Sequence, residues 1–73
     1  MNPFLLIMKL KLNGTFSEHR EVTTVAELLQ SLKIRPEGVA VEVNLEIVKR
    51  QDYFKCRLKE GDSVEIVNFV GGG

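Results

Sequence analysis

Ten residues organise the whole chain: Val64-Glu65-Ile66-Val67-Asn68-Phe69-Val70-Gly71-Gly72-Gly73. Valine, isoleucine and phenylalanine favour a pleated, half-buried surface, so the run as far as Val70 predicts a strand of a sheet. The three glycines carry no side chain to pack and lose the most entropy if they are ordered. We therefore expect the fold to end at about Val70, with residues 71–73 as a flexible tail that reaches roughly 10 Å further. A glycine arm could present its carboxylate to the active site of another protein, and the alternative is a frayed terminus.

The composition bounds both the size and the partners of the protein. At 73 residues the chain is expected to form one domain, and its ten basic and ten acidic side chains give no net charge that would attract nucleic acid or anionic lipid. One cysteine and one histidine are too few for an internal disulfide or for the usual nitrogen–sulfur metal site. No segment has the length of a membrane span. These features predict a cytoplasmic protein.

The first half of the chain predicts a hairpin followed by a helix. Residues 8–12 alternate between apolar and basic side chains, and Asn13-Gly14 is the strongest short hairpin signal. The polar return strand, 15–22, suits the edge of a sheet. Residues 1–7 are either an N-terminal extension or, from Phe4, a continuation of the first strand.

The helix is expected to begin at Thr24, which has the capping-box spacing to Glu27. It should end near Lys33, whose charge suits the negative end of the helix dipole. One apolar face recurs at helical spacing and comprises Val25, Leu28, Leu29 and Leu32.

The second half predicts strands at 39–43, 47–48 and 63–70, with a turn of helix within 51–59. The order β, β, α, β, short β, β gives the α+β class, a mixed sheet of four to five strands with one helix packed across one face. The leucines of the helix should then be buried against Leu10, Leu12, Val41, Val43, Val64 and Ile66.

These elements carry a likeness to a known family. From residue 8 to residue 73 the chain resembles the ThiS family of sulfur carriers, within the ubiquitin-like β-grasp superfamily that ThiS shares with MoaD. The likeness rests on Asn13-Gly14, on residues 24–29 and 41–50, and above all on residues 60–67 leading into the terminal glycines. It implies a ubiquitin-like β-grasp fold.

The resemblance also implies a function. A ThiF-like adenylyltransferase would use ATP to adenylate the carboxylate of Gly73, and a sulfurtransferase or cysteine desulfurase would supply sulfur to form a thiocarboxylate. A ThiG-like thiazole synthase would take that sulfur for thiamine biosynthesis. On this interpretation the chain is not an enzyme, binds no cofactor or metal of its own and is a monomer when free.

Three other functions stay open at this point. A similar fold and glycine tail occur in the small subunit of molybdopterin synthase. The chain could also be a carrier for another sulfur pathway or a ubiquitin-like modifier of lysines. The last alternative is an interaction module with an inert tail.

The strand before the glycines also predicts a docking surface. Val67 and Phe69 share a strand face with Glu65, whereas Val64 and Ile66 should face the helix. Exposed apolar side chains beside the tail are typical of a docking surface, which would comprise Val67, Phe69 and Val70. The alternatives are a bulge that turns Val67 inward and scattered surface apolarity of the ordinary kind.

Other polar residues are given structural roles. Cys56 is expected to be a small apolar residue rather than the sulfur carrier, because no activating group lies near it in the sequence. His19 is expected to be solvated on its polar strand. Asn44 and Gly61 are expected to form turns.

Overall fold

Residues 6–69, which the computed structural model describes, form a five-stranded mixed sheet with an α-helix against one face. The strand order is β2-β1-β5-β3-β4, with β1 and β5 parallel and the other neighbours antiparallel. The predicted α+β class is confirmed. The elements are β1 Ile7–Leu12, β2 Thr15–Arg20, α1 Val25–Ser31, β3 Val39–Val43, β4 Glu46–Val48 and β5 Ser63–Asn68.

Two short 3-10 helices complete the fold, at Pro36–Gly38 and Arg50–Asp52. The second begins one residue before the segment 51–59, for which a turn of helix was predicted, and overlaps its first two residues. Among residues 6–69 no helix is long and apolar enough to cross a membrane.

The start of α1 shows a variant of the predicted capping box. The hydroxyl of Thr24 accepts a hydrogen bond from the Glu27 N–H at 3.1 Å, as predicted. The Glu27 carboxylate, however, accepts from the N–H and the hydroxyl of Thr23, at 2.7 and 2.6 Å, and not from Thr24. Thr24 is extended and forms an isolated β-bridge with Arg57, so the helix begins directly after this bridge. The helix ends at Ser31, two residues before the predicted end.

The core lies between α1 and the sheet. Leu28 and Leu29 are buried against the strands, while Leu32 is only partly buried because it follows the last turn. Among residues 6–69, the largest fully buried side chains are Leu10, Val22, Val25, Leu28, Leu29, Val41 and Val64. Three residues that were predicted to lie in the core are only partly buried: Leu12, Val43 and Ile66.

The second strand differs from the prediction in two ways. It ends at Arg20 because Glu21 adopts a left-handed conformation, with φ of 57°, and Val22 then turns into the core. His19 was predicted to be solvated, and this was wrong: its side chain is 7% exposed, and its Nε2 lies 2.8 Å from the Ser17 hydroxyl. His19 lies opposite Met8, so it occupies the core face of an edge strand.

The first strand includes Ile7, which begins β1. The rest of the proposed N-terminal extension, apart from Leu6, lies outside the described residues, as do Val70 and the glycine tail, 71–73. The predicted properties of the tail therefore stay predictions.

Candidate functional site

The candidate site is the end of β5, the strand that leads into the glycines. β5 lies in the middle of the sheet, between β1 and β3. Val64 is completely buried, whereas Val67 is 55% exposed on the opposite face. The predicted side-chain alternation is therefore confirmed and no bulge turns Val67 inward.

Phe69 continues the direction of β5 by one more residue. Its N–H donates to the carbonyl of Gly38 at 3.1 Å, which extends the antiparallel ladder with the segment before β3. The Phe69 side chain is 63% exposed. The ladder therefore holds the backbone at the last described residue, and the role of Phe69 in docking stays a prediction.

Two asparagines fix β5 from its two sides. Asn13, in the first hairpin turn, accepts at Oδ1 from the Ile66 N–H at 2.7 Å and donates from Nδ2 to the Ile66 carbonyl at 3.2 Å. The Asn13 side chain thus pairs with β5 where β1 has already ended. Asn44, in the turn between β3 and β4, accepts at Oδ1 from the Ser63 N–H at 3.0 Å. Both were predicted only as turn residues, because a sequence does not show which strand a turn side chain will reach.

The open face of the sheet carries a set of exposed apolar side chains. We call this set the exit surface, and it comprises Ala40, Ile47, Val67 and Phe69. Ala40 lies directly opposite Val67 on the neighbouring strand. Ile47 is 76% exposed, and it lines a groove of about 390 Å³ together with Ala40 and Phe69. The sequence identified Val67 and Phe69 but not Ala40 or Ile47. Only the strand register places Ala40 beside Val67 of β5 and Ile47 beyond it on β4, next to β3.

Cys56 is not part of the exit surface, but it lines a second cavity that Ile47 also borders. It is partly buried, and this cavity of about 420 Å³ is lined by Asp52 and Asp62 as well. Burial raises the pKa of the Cys56 thiol, and the two carboxylates raise it further. Because the thiolate is the nucleophilic form, these surroundings make Cys56 a poor nucleophile at neutral pH.

The described residues offer no metal centre. Within residues 6–69, no group of three or more histidine, cysteine, aspartate or glutamate side chains could hold an ion.

Comparison with known proteins identifies a family. The profile of the ThiS family matches residues 10–73. The chain is 40% identical over 65 residues to the sulfur carrier protein ThiS of Bacillus subtilis, covering 88% of this chain and 98% of that protein. It is 44% identical over 66 residues to a thiazole synthase of Magnetococcus marinus, covering 90% of this chain and 20% of that protein. The chain thus spans about a fifth of the length of the thiazole synthases that it matches.

A solved structure has the same fold. The crystal structure of a thiamine biosynthesis protein (ThiS) from Geobacter metallireducens superposes with a TM-score of 0.77 at 39% sequence identity. The match covers 90% of this chain and 100% of the Geobacter metallireducens chain. The β-grasp arrangement expected from the sequence is confirmed.

Proposed function

This chain belongs to the ThiS family, and we propose on that basis that it is a sulfur carrier protein of thiamine biosynthesis. The observation that carries the proposal is the extent of the family match, which runs through residues 10–73 and so includes all three glycines. The described structure supports it, since the central strand β5 leads directly toward those glycines.

The proposed chemistry takes place at the carboxylate of Gly73. A carboxylate is a poor electrophile, so one of its oxygens first attacks the α-phosphate of ATP and releases pyrophosphate, which leaves an acyl-adenylate. The terminal sulfur of an enzyme persulfide then attacks the carbonyl carbon and expels AMP, which forms an acyl disulfide. A thiol cleaves that sulfur–sulfur bond, so the thiol is oxidised to a disulfide and Gly73 keeps a thiocarboxylate.

We propose three partner enzymes for these steps: an adenylyltransferase, a sulfurtransferase or cysteine desulfurase, and a thiazole synthase that accepts the sulfur. The last is supported by two relatives, both named thiazole synthase, in which a segment similar to this chain makes up 20% of the protein. Because the proposed pathway uses ATP and Cys56 is a free thiol, we place the carrier in the cytoplasm.

In this proposal the chain is a protein-bound substrate and supplies no catalytic side chain. The two asparagine contacts hold β5, and the sheet fixes where the following residues start. The raised pKa of Cys56 supports the view that this thiol does not compete for the activated sulfur.

The test is intact-mass analysis of the protein purified from its own host. We expect part of the protein to be heavier by the exchange of one oxygen for one sulfur. The matched control is Cys56→Ala, which should keep the added mass because the sulfur is expected on Gly73. A folded Cys56→Ala protein that never gains this mass would overturn the proposal, and adducts with lysines of other proteins would indicate a modifier instead.

A further inference from the structure

The strand β5 loses one of its two neighbouring strands partway along its length. The last pair between β1 and β5 is Leu12 with Val64, and β1 then ends in the hairpin turn. On the other side, β3 stays paired with β5 as far as Asn68. Among the described residues 6–69, the outer part of β5, from Glu65 onward, therefore has a partner strand on the β3 side only.

The side chain of Asn13 continues the hydrogen-bond ladder where β1 stops. The backbone N–H of Asn13 donates to the Val64 carbonyl at 2.8 Å, as the next residue of a strand would. The side-chain Oδ1 then accepts from the Ile66 N–H at 2.7 Å, and Nδ2 donates to the Ile66 carbonyl at 3.2 Å. One amide side chain thus satisfies both backbone groups of Ile66, which a continuing strand would otherwise pair.

The hairpin turn holds this side chain in place. Asn13 and Gly14 have φ of 47° and 87°, so both lie in the left-handed region that a two-residue hairpin turn requires. Asparagine adopts this conformation more readily than most residues, and glycine adopts it without steric cost. Asn13→Gly should therefore keep the turn and the backbone hydrogen bond to Val64, and should remove only the two contacts with Ile66.

We propose that Asn13 is a positioning residue for adenylation, because it holds the end of β5 from which the Gly73 carboxylate is presented to the adenylyltransferase. This inference rests on the proposed function. Without the Asn13 amide, β3 alone would hold the outer part of β5, through contacts that end with the Phe69 N–H bonded to the Gly38 carbonyl. Strand ends with few contacts open at a low cost in free energy, so this end of β5 would fray.

Fraying of β5 would lower the frequency with which the carboxylate reaches the reacting centre. Four residues, 70–73, follow Phe69, whereas eight residues, 66–73, would follow the last paired residue if β5 frayed back to Glu65. The effective concentration of a tethered group falls roughly as the −3/2 power of the tether length, so a doubling of that length lowers it about threefold. A strand end that is misplaced by about 1 Å adds to this loss.

The turn between β3 and β4 offers a matched comparison. Asn44 has φ of 53° in another two-residue turn, and its Oδ1 accepts from the Ser63 N–H at 3.0 Å. Its Nδ2 donates to the Asp62 carboxylate, also at 3.0 Å. Asn44→Gly therefore removes two side-chain hydrogen bonds from a similar turn, but at the start of β5, where strands lie on both sides.

The first experiment measures amide hydrogen exchange at Phe69 in the carrier alone, by NMR. The Phe69 N–H is bonded to Gly38 and not to Asn13, so only a change in the strand itself alters its exchange. We expect Asn13→Gly to speed this exchange by about tenfold or more, because two hydrogen bonds that hold β5 are lost. Asn44→Gly should have a much smaller effect at Phe69.

The second experiment measures adenylation by pyrophosphate release at increasing carrier concentration, with a melting curve for each variant. Because the carrier is the substrate, partial unfolding lowers its effective concentration, so a merely structural loss raises the apparent KM and leaves kcat unchanged. Misplacement of β5 lowers kcat instead, and we expect Asn13→Gly to lower kcat by about threefold or more. Asn13→Asp, which keeps an acceptor for the Ile66 N–H, should lie between Asn13→Gly and the wild type. Asn44→Gly should lower kcat far less.

The outcomes distinguish this inference from the function on which it rests. Equal falls in kcat for Asn13→Gly and Asn44→Gly, an unchanged kcat in a folded Asn13→Gly protein, or unchanged exchange at Phe69 would overturn the positioning role, while wild-type adenylation preserves the carrier function. A wild-type carrier that is never adenylated would contradict the proposed function, and with it any role of Asn13 in adenylation.

Discussion

Among single residues, Glu27 couples the stability of the fold to pH. The Thr23 hydroxyl, and then the Thr23 N–H, donate to its carboxylate and hold the pKa of Glu27 below its ordinary value of 4.5. Because the folded pKa is lower than the unfolded one, the stabilisation is fully present above about pH 4.5 and is lost as pH falls through the lowered pKa.

We predict that Glu27→Gln lowers the melting temperature at neutral pH and that the difference from the wild type shrinks in acid below pH 4.5. The measurement is a series of melting curves for both proteins across this range. Glu37→Gln is a suitable control, since Glu37 also lies in the first turn of a short helix, but one whose N-cap residue, Arg35, forms no side-chain cap hydrogen bond. A difference that stays constant with pH would show that the cap does not depend on the charge of Glu27.

Residue roles that depend on the fold were the hardest to predict from the sequence. The turn propensity of Asn13 and Asn44 was evident, yet their hydrogen bonds to β5 depend on strand order, which local patterns do not contain. The prediction that His19 is solvated was wrong for a similar reason. On an edge strand that is polar on both faces, hydrophobic alternation gives no signal of which side faces the core.

At the scale of secondary structure, α1 stabilises the domain through Leu28, which is 0% exposed. Leu28→Ala should cost about 2–5 kcal/mol in the free energy of unfolding, the usual range for emptying a buried leucine site. The matched control is Leu45→Ala, because Leu45 is 87% exposed and its loss should change stability by no more than about 0.5 kcal/mol. Urea unfolding of the two variants measures both values, and equal losses would contradict the assignment of the core.

The pairing of β3 with β5 makes a second prediction at this scale. Removing one charge from the Glu42–Glu65 pair with Glu65→Gln should stabilise the free domain by about 0.2–1 kcal/mol, since like charges directly opposite each other destabilise a sheet. Urea unfolding at low salt measures the gain. A loss of stability in Glu65→Gln would show that the two carboxylates do not repel each other.

The elements themselves were largely predictable, because their signals are local. The alternation in 8–12, the Asn13-Gly14 turn and the leucine spacing of the helix each identify an element from neighbouring residues. The register between strands was not predictable in this way. Alternation predicts that Glu42 and Glu65 both avoid the core, but only the assembled sheet places them side by side and adds Ala40 and Ile47 to the exit surface.

At the scale of the whole molecule, we expect the terminal glycines to be needed for sulfur loading but not for folding. Within the part of the chain that the structure describes, the buried side chains of the core cluster belong to residues 8–64. Glycine also has no side chain to pack, so removing Gly72 and Gly73 should leave the melting temperature unchanged. Sulfur loading should be abolished, because the carboxylate would end short of the partner's active site. Melting curves and intact mass of the shortened protein measure the two effects. If the shortened protein were still loaded with sulfur, or were much less stable than the wild type, this prediction would be contradicted.

The central claim is that the sulfur is carried on the carboxylate of Gly73. The most direct test is to load the carrier with ATP, adenylyltransferase and the persulfide donor, digest it and locate the added sulfur by fragment mass. We predict that the sulfur lies on the fragment that contains Gly73 and is absent from the fragment that contains Cys56. Sulfur on the Cys56 fragment, or an unchanged Gly73 fragment after adenylation has been observed, would contradict it.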